Sequence, residues 1–184
     1  MTKEGLLMTV TQMYAALDMS QYPAEGLVTA GIMVLAVDTS DAGATKIPET
    51  PDASSWAVVQ MGAKSVDSSL EPEETTNAYL RQGKSTVKTG NQRTFDIDAD
   101  RCVGDAFQDW ALGHSMKYAV GQACVVPYAY FNVATGAGEV GLASLVVETD
   151  GSGNEGDPLG VSISLKKWGP TPVEYTHSVP SSGG

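Results

Sequence analysis

Three aspartates at alternate positions are the residues whose spacing most plainly suggests chemistry. Asp96, Asp98 and Asp100 share an otherwise apolar stretch, and side chains alternate across a strand, so the spacing predicts three carboxylates on one face. The residues between and before them would pack on a core: Phe95, Ile97 and Ala99. Aspartate is depleted in strands and like charges on one face repel, so the pattern indicates either a solvated face or an acidic surface with a use.

Acid–base catalysis is a further use for paired carboxylates, as in glycoside hydrolysis. The chain holds 22 Asp and Glu residues, and no two of them stand out as a catalytic pair. The histidines, His114 and His177, are too few for a histidine-centred triad or a multi-histidine metal site. We predict that His114 is partly buried late in a helix and that His177 lies in solvent.

The two cysteines, Cys102 and Cys124, are too few for a disulfide framework and lack CxxC spacing. Cys102 adjoins a predicted helix start, where a thiol can become a nucleophile, but acidic residues surround it. Unpaired cysteine is usually a small core residue, so we predict a structural role for both.

Two loop motifs match known binding sites incompletely. Asp150, Ser152 and Asn154 occupy alternate oxygen positions of a calcium loop, but Glu155 stands at the turn glycine and Val161 at the last acidic ligand. Glycines at 136, 138 and 141 are spaced as GxGxxG, yet they lie between two strands and open no helix. The sequence therefore predicts no catalytic, cofactor-binding or metal-binding residue, and we expect a protein that is not an enzyme.

The composition excludes tight binding to nucleic acid. The 184-residue chain has a net charge of -11 and a pI near 4.4, so it repels phosphates and anionic lipids. Its Lys and Arg residues are scattered and form no basic stripe. The longest apolar run, residues 31–37, is far shorter than a membrane span, and no signal peptide is recognisable. We expect a soluble protein.

The elements that must hold these residues are mainly strands. Helical spacing predicts one α-helix at about residues 103–115, with Asp105 and Asp109 in its early turns. Short apolar segments separated by turns predict an antiparallel β-sandwich or open barrel that this helix flanks. We predict an N-terminal arm or short helix at 1–26, a β domain at 27–169 with a long loop or protruding hairpin at 67–90, and a C-terminal tail rich in Pro, Ser and Gly at 170–184.

Five segments then occur in a particular order. They are GIMVLAV at 31–37, WAVVQMG at 56–62, EPEETTNAYL at 71–80, VGDAFQDW at 103–110 and GVSISLKKWG at 160–169. Together they resemble the tail tube proteins, or major tail proteins, of long-tailed bacteriophages, which are related to phage-like injection tubes. The similarity covers roughly residues 31–169.

The resemblance implies a structural virion protein with a tail-tube-like β fold. Six copies would form a ring, and stacked rings would form a hollow tube that conducts double-stranded DNA during ejection without binding it tightly. The implied partners are other copies of the chain, the tape measure protein, the tail terminator and baseplate or tail-tip proteins. The implied location is the virion tail, assembled in the host cytoplasm. Related tubes in contractile tails, bacteriocins and type VI secretion remain open alternatives.

The resemblance also gives the charged residues a use. Asp96 and Asp98 would line the lumen and repel DNA, with an ordinary solvated face as the alternative. The segment at 67–90 would reach a neighbouring subunit or ring, with a free surface loop as the alternative; its charged residues are Glu71, Glu73, Glu74, Arg81 and Lys84.

A monomeric β-sandwich that binds sugars or acts as an adhesin is the competing class. In that case three aromatic residues would supply a stacking platform: Tyr128, Tyr130 and Trp168.

Overall fold

The structure is a computed structural model, and it describes residues 8–23 and 25–180. The strands are β1 Met33–Val37, β2 Ala57–Val58, β3 Ala63–Ser69, β4 Pro72–Tyr79, β5 Gly83–Asn91, β6 Thr94–Asp100, β7 Val125–Asn132, β8 Ala137–Ser152, β9 Gly160–Lys167 and β10 Val173–Thr176. The α-helices are α1 Val10–Ala16, α2 Ala106–Ala111 and α3 His114–Lys117. Short 3-10 turns occur at Met19–Gln21, Ala30–Ile32, Ala53–Ser55 and Gly121–Cys124.

One curled antiparallel sheet makes up most of the fold. Its strands follow the order β2-β1-β7-β8-β9-β6-β3, with β10 pairing along β8, and β4 and β5 form a separate hairpin. All pairings between these strands are antiparallel. This arrangement confirms the prediction of a mainly β, open-barrel fold with a flanking helix.

Hydrophobic cores lie on both sides of the curled sheet. On one side, Phe107 and Ala111 of α2 and Met116 of α3 pack with apolar residues of β6, β7, β8 and β9. On the other side, Val10 and Met13 of α1 pack in a second cluster that also contains residues of β1, β7 and β10. The strands β1 and β7 are therefore buried on both faces, whereas β6 has one covered face and one face that exposes Asp96 and Asp98.

The helix predicted at 103–115 is wrong in its bounds. The helix α2 begins at Ala106, because Asp105 is its N-cap and accepts a hydrogen bond from the backbone N–H of Gln108 at 2.9 Å. It ends at Ala111, and α3 starts after Gly113, where a Cβ atom would lie 3.0 Å from the carbonyl oxygen of Trp110. His114 thus opens the second helix and is exposed, not partly buried.

The prediction that His177 lies in solvent is also wrong. The segment before it forms β10, which pairs with β8 and brings Tyr175 and His177 onto the second core. The His177 ring stacks on Phe131 at a centroid distance of 4.9 Å and on Tyr14 at 5.5 Å. Its Nδ1 lies 2.8 Å from the hydroxyl of Tyr175. His177 therefore links the C-terminal segment, α1 and the sheet.

Candidate functional site: an acidic sheet face and a protruding hairpin

The strand β6 presents its aspartates as the sequence pattern predicts. Asp96 and Asp98 are exposed, whereas Phe95, Ile97 and Ala99 are buried in the core shared with α2 or beside it. Asp100, at the end of the strand, is half-buried, and the Nζ of Lys64 lies 2.6 Å from its Oδ1. The acidic and apolar faces of this strand are confirmed.

The sheet register extends the acidic face over neighbouring strands. Asp96 lies opposite Asp67 of β3 on one side and Ser164 of β9 on the other. The hydroxyl of Ser164 donates a hydrogen bond to Oε1 of Glu148 on β8 at 2.9 Å, so a fourth carboxylate joins the face. We call the group of Asp67, Asp96, Asp98 and Glu148 the acidic face.

Serines and peripheral lysines complete the acidic face. Asp98 lies between Ser65 and Ser162, and the Ser65 hydroxyl donates to the Asp67 carboxylate at 3.2 Å. Lys166 lies opposite Thr94 at one end of the strand, and Lys64 pairs with Asp100 at the other. The described residues give the four central carboxylates no ion-pair partner. The face is therefore exposed and anionic at its centre, with a lysine near each end.

A polar network fixes the end of β6 against α2. The buried side chain of Gln108 donates to the carbonyl oxygens of Met61 and Asp100, at 2.7 and 3.1 Å, and accepts from the N–H of Cys102 at 2.8 Å. Burial raises the pKa of Asp105, which caps the same helix. These bonds tie α2, which packs on the buried side of β6, to both β6 and the segment before β3.

The segment predicted as a long loop or protruding hairpin is a hairpin. Asp67 belongs to β3, and the strands β4 and β5 then pair with each other alone. All residues of β4 are exposed, and so are those of β5 except Gly90, which is half-buried. At about 3.4 Å a residue, the eight residues of β4 extend about 25 Å from the domain.

The base of the hairpin is anchored to the main sheet. The N–H of Gln92 donates to the carbonyl of Leu70 at 3.0 Å, and its side chain donates to the carbonyl of Lys167 at 2.9 Å. Next to it, Nε of Arg93 lies 2.8 Å from Oε1 of Glu139, and its guanidinium carbon lies 4.7 Å from the centroid of Phe95. The base is thus held in place, whereas β4 and β5 pair as strands only with each other.

The structure places the predicted site residues in three places. Asp96 and Asp98 lie at the centre of the acidic face, whereas Glu71, Glu73 and Glu74 precede or begin β4 at the hairpin base. Arg81 and Lys84 lie at the opposite end, at the hairpin tip. The sequence analysis missed Asp67 and Glu148. The alternation of Ser65, Val66 and Asp67 could have indicated the first, but only the register between distant strands brings in the second.

The stacking platform that the competing class of monomeric binding module would need is not formed. Tyr128 is fully buried and its hydroxyl donates to Glu139 at 3.2 Å, while Tyr130 packs on the ring of Phe95 at a centroid distance of 5.0 Å. Trp168 packs on a small cluster that contains Leu142. These rings stabilise the sheet and do not form an exposed surface for a sugar.

Packing accounts for the glycine motif, in which Gly136 precedes β8 and Gly138 and Gly141 lie within it, not between two strands as the sequence indicates. A Cβ on Gly138 would lie 2.1 Å from the carbonyl oxygen of Tyr130, and one on Gly136 would lie 2.1 Å from that of His177. Gly141 faces the ring of Tyr128, whose Cε1 would lie 2.9 Å from such an atom. These positions require glycine because neighbouring chain segments approach closely.

Two further findings concern residues 8–23 and 25–180 alone. There, no group of three or more His, Cys, Asp and Glu side chains could hold a metal ion. None of the described helices is long and apolar enough to cross a membrane.

The fold is shared with a tail protein, although sequence comparison finds no relative. No protein-family model and no curated protein matches the chain. It is similar to a chain from the tail of an empty gene transfer agent particle, computed with helical refinement and C6 symmetry, at a TM-score of 0.50 and 11% identity, covering 78% of this chain and 96% of that one. A chain from the virion of the native gene transfer agent particle gives a TM-score of 0.48 at 11% identity, covering 82% and 99%. The first similarity shows that this chain shares the fold of that chain.

Proposed function

We propose that this chain is a structural subunit of a phage-like virion tail. In this proposal six copies close into a ring, and stacked rings form a tube that conducts double-stranded DNA during ejection. The observation that carries it is the acidic face, whose centre has four carboxylates and no ion-pair partner among the described residues. The shared fold with a gene transfer agent tail, which has C6 symmetry, supports the same function.

An acidic lining suits a conduit for DNA. Each Lys or Arg contact with a phosphate adds salt-dependent adhesion, which would slow passage. Carboxylates stay hydrated and repel the phosphates, so DNA stays centred and mobile. We assign Asp96 and Asp98 to the lumen on this basis. The buried side chains of Phe95 and Ile97 hold β6 against the hydrophobic core.

Ring formation has a candidate edge in β3. This strand is one of the two edge strands of the main sheet, and its seven residues are exposed or half-buried. A free strand edge pairs readily with a strand from another chain. Such pairing would continue the acidic face from one subunit to the next, since Asp67 lies on this edge strand next to Asp96.

The hairpin is the second proposed contact between copies. An isolated two-stranded hairpin is at best marginally stable in water, so one that projects from the domain gains order from a partner. We propose that the hairpin reaches a neighbouring subunit or ring.

The proposed partners of the finished tube are the tape measure protein, the tail terminator and the baseplate or tail-tip proteins. The proposed location is the virion tail, after assembly in the host cytoplasm.

Electron microscopy and sedimentation of the purified chain test this function. We expect concentrated protein to form stacked rings or tubes with an open centre in negative stain. In sedimentation, the sedimentation coefficient should rise with protein concentration. A chain that stays monomeric at all concentrations would contradict the proposal. Dilution of assembled material provides the control, because true assembly is reversible and aggregation is not.

A further inference from the structure

The strand β10 begins a segment that closes over the second core. We define residues 173–180 as the strap. Its alternate side chains face that core, since Tyr175 and His177 are buried and Val179 is half-buried. Its backbone pairs with four residues of β8, and the N–H of His177 donates to the carbonyl of Gly136 at 2.8 Å. His177 therefore lies in the middle of the buried face of the strap.

The hydrogen bonds at this position require an unprotonated ring nitrogen. The hydroxyl of Tyr175 accepts from the backbone N–H of Ala53 at 3.2 Å, and it lies 2.8 Å from Nδ1 of His177. Because a hydroxyl has one proton and the described residues offer it no other acceptor, it donates that proton to Nδ1. A proton on Nδ1 would reverse this bond and leave the buried hydroxyl without an acceptor, which is unfavourable.

The surroundings of the imidazole ring also disfavour a positive charge. Tyr14 of α1 and Phe131 of β7 stack on the ring at centroid distances of 5.5 and 4.9 Å. The titratable groups that face it are Tyr14, Tyr175 and Asp52. Burial raises the pKa of Tyr14 to about 12 and also raises that of Tyr175, so both stay uncharged. Burial lowers the pKa of His177, and the charge of Asp52 opposes this only in part.

Release of the strap would leave the other strand pairs of the sheet intact. Residues 138–140 of β8 pair with β10 on one side and with β7 on the other. The helix α1 keeps an anchor of its own, because the hydroxyl of Tyr14 donates to the carbonyl of Val133 at 2.9 Å. Within the β10–β8 pair, Glu174 lies opposite Glu139, and like charges at opposed positions weaken a strand pair. The strap is thus the element that can open alone.

We propose that His177 is a pH-sensitive latch: when its ring takes up a proton, residues 173–180 leave the main sheet and the rest of the fold stays in place. This inference goes beyond the tail function and does not depend on it. In the open state the ring lies in water and takes up a proton with the usual pKa of 6.5. The ratio of open to closed strap should therefore rise about 10–30-fold as the pH falls from 7.5 to 5. Opening uncovers apolar side chains beneath the strap, including Phe131 and Val140.

Hydrogen exchange of the full chain in dilute solution tests the latch, with protection factors corrected for the intrinsic effect of pH. At pH 5 the bonded amides of the strap should be at least about ten-fold less protected than those of β9, because the strap opens without unfolding the sheet. Protection of the strap should also be about ten-fold or more higher at pH 7.5 than at pH 5. Equal protection of the strap and β9 at pH 5, or strap protection that does not change with pH, would overturn the inference.

Histidine variants show whether this residue is the latch. His177→Phe removes the titrating group and keeps a ring in the core, so its strap protection should change by less than about two-fold between the two pH values. His114→Gln, at an exposed site, should keep the wild-type change. His177→Gln gives the same comparison if the phenylalanine variant does not fold. A change of wild-type size in a folded His177 variant would contradict the latch.

An apolar dye measures the surface that the strap uncovers. The fluorescence of 8-anilinonaphthalene-1-sulfonate should increase with wild-type chain when the pH falls from 7.5 to 5, and it should not increase with His177→Phe. An equal increase in both would show that the acid effect arises elsewhere, and no increase in either would show that the strap stays closed; each result overturns the inference. Neither experiment measures ring assembly, so the latch and the tail function are tested separately.

Discussion

Asp67 on β3 lies directly opposite Asp96 on β6, on the exposed side of the main sheet. Like charges directly opposite each other in a sheet are destabilising, by less than about 1 kcal/mol at an exposed site in salt. Burial of Phe95 or Ile97 on the other side of β6 contributes about 1.5–3 kcal/mol each, so the strand forms despite the repulsion. The folded chain thus keeps an acidic face that folding does not need.

Removing one charge of this pair should stabilise the isolated subunit. We expect Asp96→Asn to raise the midpoint of thermal unfolding by about 1–3 °C at low salt, because the repulsion with Asp67 is lost. Asp41→Asn, in an exposed loop, serves as the control for a change of net charge alone. An equal shift in both variants would show that net charge, and not the cross-strand pair, sets the effect.

Reversing the charge of the acidic face should impair DNA passage without preventing assembly. We expect particles with Asp96→Lys and Asp98→Lys to form tubes but to deliver DNA at least about ten-fold less efficiently, since lysines in the lumen would adhere to phosphates. Asp96→Asn with Asp98→Asn should have a smaller effect. Normal delivery by particles with normal tubes would place these residues away from the lumen.

The buried His177 should make stability fall as the pH drops from about 7.5 to about 5. Burial lowers the pKa of His177, an effect that Asp52 partly opposes, and Tyr14 and Tyr175 face the ring without a charge. The unfolded chain therefore takes up the proton first, and stability is lost as the pH falls below the usual value of 6.5. Thermal unfolding at both pH values measures the loss.

Histidine variants identify the source of this pH dependence. His177→Gln should lower stability at neutral pH but reduce the difference between the two pH values, while His114→Gln, at an exposed site, should leave that difference unchanged. The carboxylates of Asp18, Asp52 and Asp150 have a lowered pKa, so they titrate below this range. Burial raises the pKa of Asp105, so this residue makes stability rise as the pH falls. A loss of stability on acidification that is as large in His177→Gln as in the wild-type chain would contradict the assignment to His177.

Close packing between β7 and β8 predicts that replacing Gly138 lowers stability. Gly138→Ala should lower the free energy of unfolding by about 2–3 kcal/mol, because the added methyl group would overlap the carbonyl oxygen of Tyr130. Gly31→Ala, with no atom within 4 Å of the added Cβ, should change it by less than about 0.5 kcal/mol. Urea unfolding of both variants compares them, and equal stabilities would refute the packing account.

The sequence predicts local structure well where strongly apolar residues recur with the period of the element they form. The alternation in β6 is unambiguous because Phe95 and Ile97 are strongly apolar and every second residue is an aspartate. The predicted helix bounds are wrong because Asp105 is the N-cap of α2 and because the backbone of Gly113, at φ -59° and ψ 145°, is not helical. Both signals are weaker than the apolar spacing that extended the predicted helix.

Features that depend on distant pairing could not be predicted from local pattern. The Pro- and Ser-rich composition around His177 indicates a loop, and only the pairing of β10 with β8 brings that residue into a core. The same holds for the acidic face, where Glu148 joins Asp96 only through the register of β8, β9 and β6. Long-range register, not composition, assembles the candidate site.

A density map of the assembled protein by cryo-electron microscopy tests the central claim most directly. We predict stacked six-fold rings around an open channel, with Asp96 and Asp98 on the channel wall and the hairpin in contact with another copy. A map in which these two aspartates lie on the outer surface or are buried between subunits would contradict the claim that the acidic face guides DNA.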